Sequence, residues 1–209
     1  MKTIVLAGAK GGGGKTTLAL NLAIEAAKTD SVAVFDSDPQ QSLRTFFGIR
    51  GGENPALLRN VGSLRRVSAD LKKAGAPYAY LIADSPGSFM KVIRDAISAA
   101  DCVVVPLRPS PLDILAQEDL RPVLRELGKM PVTVPVITMI DARTSHTDFV
   151  ERISEMFTRP PVLIRNRFAY ARAMIGGRAG FEIDKECTAE ILALWQTVKH
   201  VLKEEDAGE

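Results

Sequence analysis

The sequence holds only two cysteines, Cys102 and Cys187, far apart and in no metal-ligand spacing. That scarcity excludes a disulfide framework and a thiolate metal centre, and it implies a reduced compartment with inert thiols. Long apolar runs are missing as well. No stretch approaches the roughly 20 residues needed to span a bilayer. Met1 leads straight into "KTIVLAG", a run too short and too quickly ended by glycine for a signal peptide, so a cytoplasmic location is expected. Charge of one sign is also missing. Against 27 Lys and Arg stand 25 Asp and Glu, a net charge of +2, so any nucleic-acid surface must be local. Neither a repeat nor a long linker divides the chain. A 46% hydrophobic and 25% charged composition over 209 residues suffices for a real core, and one domain over 1–209 is expected.

What is present is alternation. "TIVLAG" (3–8), "SVAVFD" (31–36), "YAYLIAD" (78–84), "DCVVVPL" (101–107), "VTVPVITMI" (132–140) and "PVLIR" (161–165) are nearly continuous apolar runs. Such runs suit strands buried on both faces of a parallel sheet. Helical patterns separate them, over 15–28, 39–47, 88–99, 111–127 and 146–157, with a last one over 184–203. Pro122 should kink or restart the fifth. The order predicts an α/β fold with a doubly wound, mostly parallel sheet and helices on both faces, its ligand beyond the carboxyl ends of the strands. "GIRGGENPALLRN" (48–60) reads as a mobile surface loop, and the tail "KEEDAGE" should fray.

The chemistry lies just after strands. "AKGGGGKTT" follows the first strand and opens a helix. Glycine amides at Gly11, Gly12, Gly13 and Gly14 can point at phosphate oxygens, and the helix N-terminus adds partial positive charge. Lys15 would reach the β- and γ-phosphates, Thr16 would ligate Mg²⁺, and Thr17 completes the cradle. Ala9 stands where the strict pattern has glycine. Asp36 ends the second strand and Asp38 follows two residues later, in "FDSDPQQS". Such carboxylates can hold Mg²⁺ through water or orient an attacking water, but Asp38 before Pro39 also fits a helix N-cap. Asp84 ends "YLIAD", the place of a metal-side carboxylate. "PLRPSPLDI" sets Pro109, Ser110 and Pro111 in a rigid loop that can wall a base or form an interface.

One residue is surplus to a phosphate cradle: Lys10, ahead of the glycines. "KGGGGKTT" resembles the deviant Walker A motif of the ParA/MinD family of dimerising ATPases. "FDSDPQ", "LIADSPG" and "PLRPSPLDI" resemble that family's second acidic motif, Walker B strand and proline-rich loop, in order over the whole chain. "IRNRFAYARAMIGGRAGFEID" resembles the closing segment of the small plasmid-type, ParF-like members. The resemblance implies a homodimer that sandwiches two ATP molecules, with higher assemblies in some members. Lys10 then reaches the partner's nucleotide, much as an arginine finger does. It also implies catalytic roles for Lys10, Lys15 and Asp38, a magnesium shell at Thr16, Asp36 and Asp84, and the proline loop near adenine and the dimer contact. Where many relatives carry an asparagine that reads the base, this chain has Thr138 and Met139.

Between 159 and 178 lie Arg159, Arg165, Arg167, Arg172 and Arg178 with no acid. They read either as a solvated face or, by the resemblance, as contacts for non-specific DNA. Arg65, Arg66, Lys72 and Lys73 read as surface. The expected function is a DNA partition or positioning ATPase, nucleoid-associated with ATP and stimulated by a ParB-like or centromere-binding partner. The chain starts at its first strand, so a preceding helix-turn-helix is not expected. A MinD-like membrane positioner and a positioner of non-DNA cargo are the alternatives, the first disfavoured by the acidic end "KEEDAGE". Superfamily iron proteins need paired cysteines at a bridged cluster, and the tyrosine kinases a tyrosine-rich tail; this chain shows neither.

Overall fold

The computed structural model describes residues 1–59 and 62–208. Seven strands form one parallel sheet: β1 (Lys2–Leu6), β2 (Val32–Asp36), β3 (Ala56–Leu57), β4 (Tyr80–Asp84), β5 (Cys102–Leu107), β6 (Thr133–Ile140) and β7 (Val162–Arg165), in the order β3-β2-β4-β1-β5-β6-β7. Every pairing is parallel. The chain winds to one side of β1 and then to the other, which makes the carboxyl ends beside β1 the switch point where ligands bind in such sheets.

Alternate strand residues feed two cores. Ile4, Leu6, Val34 and Val104 face one layer, built on α1 (Lys15–Ala26), α2 (Ser42–Arg50), α8 (Phe168–Ile175) and α9 (Glu186–Gly208). Val5, Ala33, Val103 and Val105 face the other, built on α3 (Leu64–Lys73), α4 (Met90–Ser98), α6 (Gln117–Glu126) and α7 (Thr147–Phe157). A short α5 (Pro111–Leu115) precedes α6. Burial on both faces is why these strands carry no polar alternation.

All six expected strands are present, five of them trimmed by a residue or two at the start and the first shifted to Lys2–Leu6. Two α-helices, a short 3-10 helix at Gly180–Glu182 and one strand are additional, the α-helices being α3 and α8 and the strand β3. The segment expected to be a mobile loop contains the end of α2 and β3, and Asn54 pins it. The Asn54 side chain accepts from the Val32 amide at 2.9 Å and donates to the Asp30 and Ala27 carbonyls at 2.9 and 3.2 Å. Asn60 lies outside the described residues. The helix expected at Pro39 starts at Ser42, because Gln41 takes a left-handed conformation with φ 51°. The restart expected at Pro122 falls at Ala116, between α5 and α6. Pro122 itself lies inside α6, beyond the first turn in which a missing amide donor costs nothing, so the helix continues through it without that bond. The tail expected to fray continues α9 to Gly208. Lys2 and Arg159 pin it through ion pairs to Glu205 and Glu204, at 3.5 and 3.0 Å. Glu209 lies outside the described residues.

Candidate nucleotide site

The loop between β1 and α1 is built by close backbone approaches. Gly12 and Gly14 take φ of 80° and 93°, conformations that side chains disfavour. A Cβ on Gly13 would lie 2.9 Å from the Pro106 carbonyl oxygen. A Cβ on Gly87, in the loop after β4, would lie 2.8 Å from the Gly11 amide nitrogen. The loops after β1 and β4 and the carboxyl end of β5 are therefore stacked at contact distance. Thr138, at the end of β6, donates its hydroxyl to the Gly13 carbonyl at 2.9 Å and fixes the cradle from the fourth side.

Lys15 is buried and donates to the Lys10 carbonyl at 3.0 Å. Burial holds its amine below the usual range, against the pull of Asp84 and Asp38. Asp36 and Asp84 are paired in register on adjacent strands. Thr16 donates its hydroxyl to Asp84 Oδ2 at 2.5 Å, whereas Asp84 Oδ1 is buried with no hydrogen-bond partner. Burial pushes the Asp84 carboxyl up to about 7, outweighing the Thr16 hydrogen bond. Burial also raises the Asp36 carboxyl, offset by hydrogen bonds from the Arg44 and Asp38 amides at 2.9 and 3.0 Å. Asp36 thereby braces the first turn of α2. Asp38 accepts from the Gln40 amide at 2.9 Å and shapes the preceding turn, while the N-cap position of α2 falls to Gln41.

Among the described residues no group of three or more His, Cys, Asp and Glu is arranged to hold a metal ion. The hydroxyl of Thr16 and the unpartnered oxygen of Asp84 instead fit Mg²⁺, which keeps most of its shell as water and phosphate oxygen and takes only one or two protein ligands.

Lys10 lies at the rim, with Nζ 2.9 Å from Asp113 Oδ1 on α5. Arg108 holds the same carboxylate through its backbone amide, Nε and Nη2, at 3.0, 3.1 and 3.0 Å. Burial alone would raise the Asp113 carboxyl; the hydrogen bonds from Arg108 and Lys10 outweigh it and hold the group below the ordinary range. Asp113 and Arg108 both fall within "PLRPSPLDI" but outside the Pro-Ser-Pro core that marks the loop in sequence. An acid in the first turn after a proline at N1 was the available signal. Ser110 takes the N-cap position with Pro111 following, and its side chain makes no cap hydrogen bond.

On the far side of Gly14 and Thr17 opens a mostly apolar cavity of about 180 Å³, walled by Met139, Asn166, Tyr170 and Met174. Met139 holds a φ of 56°, a strained setting for a non-glycine residue. Asn166, Tyr170 and Met174 escaped the sequence reading, because β7 and α8 reach the P-loop only through the fold.

The five arginines do not share one surface. Arg159 precedes β7, at the opposite end of that strand from Arg165, and is paired with Glu204. Arg167 is paired with Glu186 and, at 2.9 Å, Glu190. Arg178 donates to the Glu182 carbonyl. Arg165 and Arg172 are exposed and make no ion pair among the described residues. Of the second basic set, Lys72 is paired with Asp101 at 3.0 Å and Arg66 with Asp70 at 3.7 Å.

Residues 4–178 match the family model described as the CobQ/CobB/MinD/ParA nucleotide binding domain. Protein ParA of Rhizobium radiobacter is 35% identical over 119 residues, 54% of this chain and 51% of that protein. The chain thus matches about half the length of that relative. The maintenance of carboxysome distribution protein A of Halothiobacillus neapolitanus is 24% identical over 188 residues, 87% of each chain. Among solved structures, an ATP complex of a Cyanothece McdA variant superposes with a TM-score of 0.75 at 18% identity, over 97% of this chain and 96% of that one.

Proposed function

The chain belongs to the CobQ/CobB/MinD/ParA nucleotide-binding family, and on that premise we propose that it is an ATPase that partitions or positions DNA through an ATP-bridged homodimer. The observation that carries this reading is the pair of lysines in one loop. Lys15 is turned inward beneath the glycines, while Lys10 stands at the rim on Asp113. One cradle uses one lysine; a second at the rim has its target in the neighbouring subunit. The protein works as a single domain in the cytoplasm, nucleoid-associated when ATP is bound.

In this reading the amides of Gly11 to Thr17 and the Lys15 amine bind the phosphates. The Thr16 hydroxyl and Asp84 would hold Mg²⁺, with Asp36 beside them, and the metal would neutralise phosphate charge. Asp38 orients the attacking water, and Lys10 of one subunit stabilises charge on the other's phosphate. The cavity walled by Met139, Asn166, Tyr170 and Met174 takes the base, with the loop of Pro109, Ser110 and Pro111 nearby. Arg165 and Arg172, doubled by dimerisation, contact DNA phosphates, with Arg159, Arg167 and Arg178 as the weaker candidates because each is already engaged. A ParB-like or centromere-binding partner accelerates a slow intrinsic turnover.

Replacing Lys10 by Ala is expected to leave ATP binding intact and abolish partner-stimulated turnover; unchanged turnover refutes the trans role. Mobility shifts on duplex DNA with ATP, ADP and no nucleotide, over a salt series, test the DNA reading. The likeness to a carboxysome-positioning protein over 87% of the chain favours a second reading, a non-DNA cargo, and ATP-dependent retention on DNA-free cargo rather than on DNA would select it. Among the described residues no helix is long and apolar enough to cross a membrane. ATP-dependent pelleting with anionic liposomes would select a MinD-like peripheral role instead.

A further inference from the structure

On the outer side of α8 the proposed function uses Arg172 alone and leaves the apolar side chains beside it without a task. Phe168 and Ile175 are 79% and 81% exposed, the highest values among the described large apolar side chains. They stand seven residues apart with exposed Arg172 between them, so the three form one stripe. Two adjoining grooves of about 480 and 450 Å³ run beside the stripe and share Arg172 and Ile183. Their floor includes Ala169, Ala173 and Gly176, small residues over which a second helix can pack at close range. α8 is about 12 Å long, room for roughly two turns of such a helix.

Cations outnumber free carboxylates around this groove, whose lining includes Arg167, Arg172, Arg178, Glu182 and Asp184. Arg50 holds the Glu182 carboxylate in a two-pronged pair at 2.8 and 2.9 Å, and Asp184 is engaged by the Glu186 amide at 2.9 Å. Arg172 makes no ion pair among the described residues, and Arg178 donates only to the neutral Glu182 carbonyl, so both keep their charge at the rim. The inner side of the same helix belongs to the nucleotide site: Tyr170 and Met174 wall the cavity beside Gly14, and the Thr17 hydroxyl donates to Met174 Sδ at 3.7 Å. Just beyond the end of α8, Arg50 of α2 donates to the Gly177 carbonyl at 2.9 Å, and α2 begins on the Asp36 carboxylate. One rigid element thus touches the nucleotide side with one face and solvent with the other.

We propose that the outer face of α8 docks an acidic amphipathic helix of a partner protein, whose apolar residues cover Phe168 and Ile175 and whose carboxylates meet Arg172 and Arg178. Phosphate contacts with DNA would use the two arginines but give no reason to expose a phenylalanine and an isoleucine beside them. A membrane surface would gain only two apolar anchors from an eight-residue helix. The nucleotide dependence of this docking rests on the ATPase reading above; the surface itself does not.

The test uses the full chain and a displayed library of helical peptides of roughly 16 residues, selected with ATP, with ADP and without nucleotide. Enriched peptides are then measured by fluorescence anisotropy on the wild type, on a Phe168→Ser/Ile175→Ser double variant and on Arg172→Glu. The expected result is enrichment of peptides with apolar residues at i, i+3 or i+4, and i+7 flanked by Asp or Glu. Their affinity should fall at least about tenfold on each variant, the scale of losing an interface anchor. Enrichment without acidic residues, or affinity kept by both variants, overturns the proposal. So does loss of duplex DNA or anionic-vesicle binding in the double variant with peptide binding unchanged, since that assigns the face to DNA or lipid. ATP turnover is measured separately. Absent turnover in the wild type with variant-sensitive peptides refutes the ATPase reading and leaves the docking surface standing; turnover without such peptides refutes the docking surface alone.

Discussion

Asp84 offers a quantitative check on the site, because its carboxyl is destabilised in the fold that positions it. The group is fully buried, one oxygen has no partner, and burial pushes its pKa up to about 7. An unfolded aspartate titrates near 4, so the displacement corresponds to about 4 kcal/mol between the two protonation states. The sign follows from linkage. Below about pH 4 the carboxyl is protonated in both states and costs nothing; as pH rises the unfolded chain ionises first, and the cost to the folded state is complete only above about pH 7. Asp84→Asn removes this term while keeping an acceptor for the Thr16 hydroxyl. Without nucleotide and with a chelator present, the variant should therefore be more stable than the wild type, and the gap should widen by about 2–3 kcal/mol between pH 5 and pH 8. For a domain of this size that is roughly 5–10 °C in Tm. Thermal melts followed by circular dichroism at several pH values measure it, and other titrating groups cancel in the difference between the two proteins. With MgATP the order should reverse, since the variant loses the carboxylate that fits the metal. A stability gap that does not change with pH, or equal stabilisation of both proteins by MgATP, would refute the reasoning.

Other perturbations follow from close contacts. Gly87→Ala places a Cβ 2.8 Å from the Gly11 amide nitrogen, so it should displace the cradle and weaken ATP binding at least about tenfold, read by calorimetric titration, with a near-normal melt. Gly177→Ala combines a φ of 63° with a Cβ 2.7 Å from the Arg50 amide nitrogen; a loss of roughly 3 kcal/mol is expected in urea unfolding. Asp113→Asn removes the charge that holds Lys10 at 2.9 Å. With Lys10 partly exposed the pair contributes less than a buried one, so a several-fold rise in the ATP-dependent dimer fraction is expected by sedimentation velocity, about 1 kcal/mol. Cys102 and Cys187 are both buried, and burial raises both thiols, Cys187 to about 11. Neither should react with a disulfide reagent at pH 8 until the chain is unfolded.

What the sequence disclosed and what it hid divide along range. Strands buried on both faces announce themselves as apolar runs, and a phosphate cradle is written in consecutive residues, so the sheet and the positions of Lys15, Thr16, Asp36 and Asp84 were legible. α3 was not, because its ten residues bury only Leu64 and Ser68 and read as polar surface. α8 was not, because its buried residues are Tyr170 and Ala173 while Phe168 and Ile175 point outward, which inverts the usual stripe. The partners of the cradle were hidden for another reason. Asp113 is 103 positions from Lys10 and Thr138 is 125 from Gly13, and no local spacing encodes such contacts. That hidden contact changes the argument about Lys10. The sequence shows a lysine with no use in its own cradle; the structure shows that it already has an intramolecular partner. Under the proposed trans role, a contact from Lys10 to a second subunit has to compete with Asp113, and this contact strengthens a dimer by the margin with which phosphate outcompetes a carboxylate for the same ammonium group.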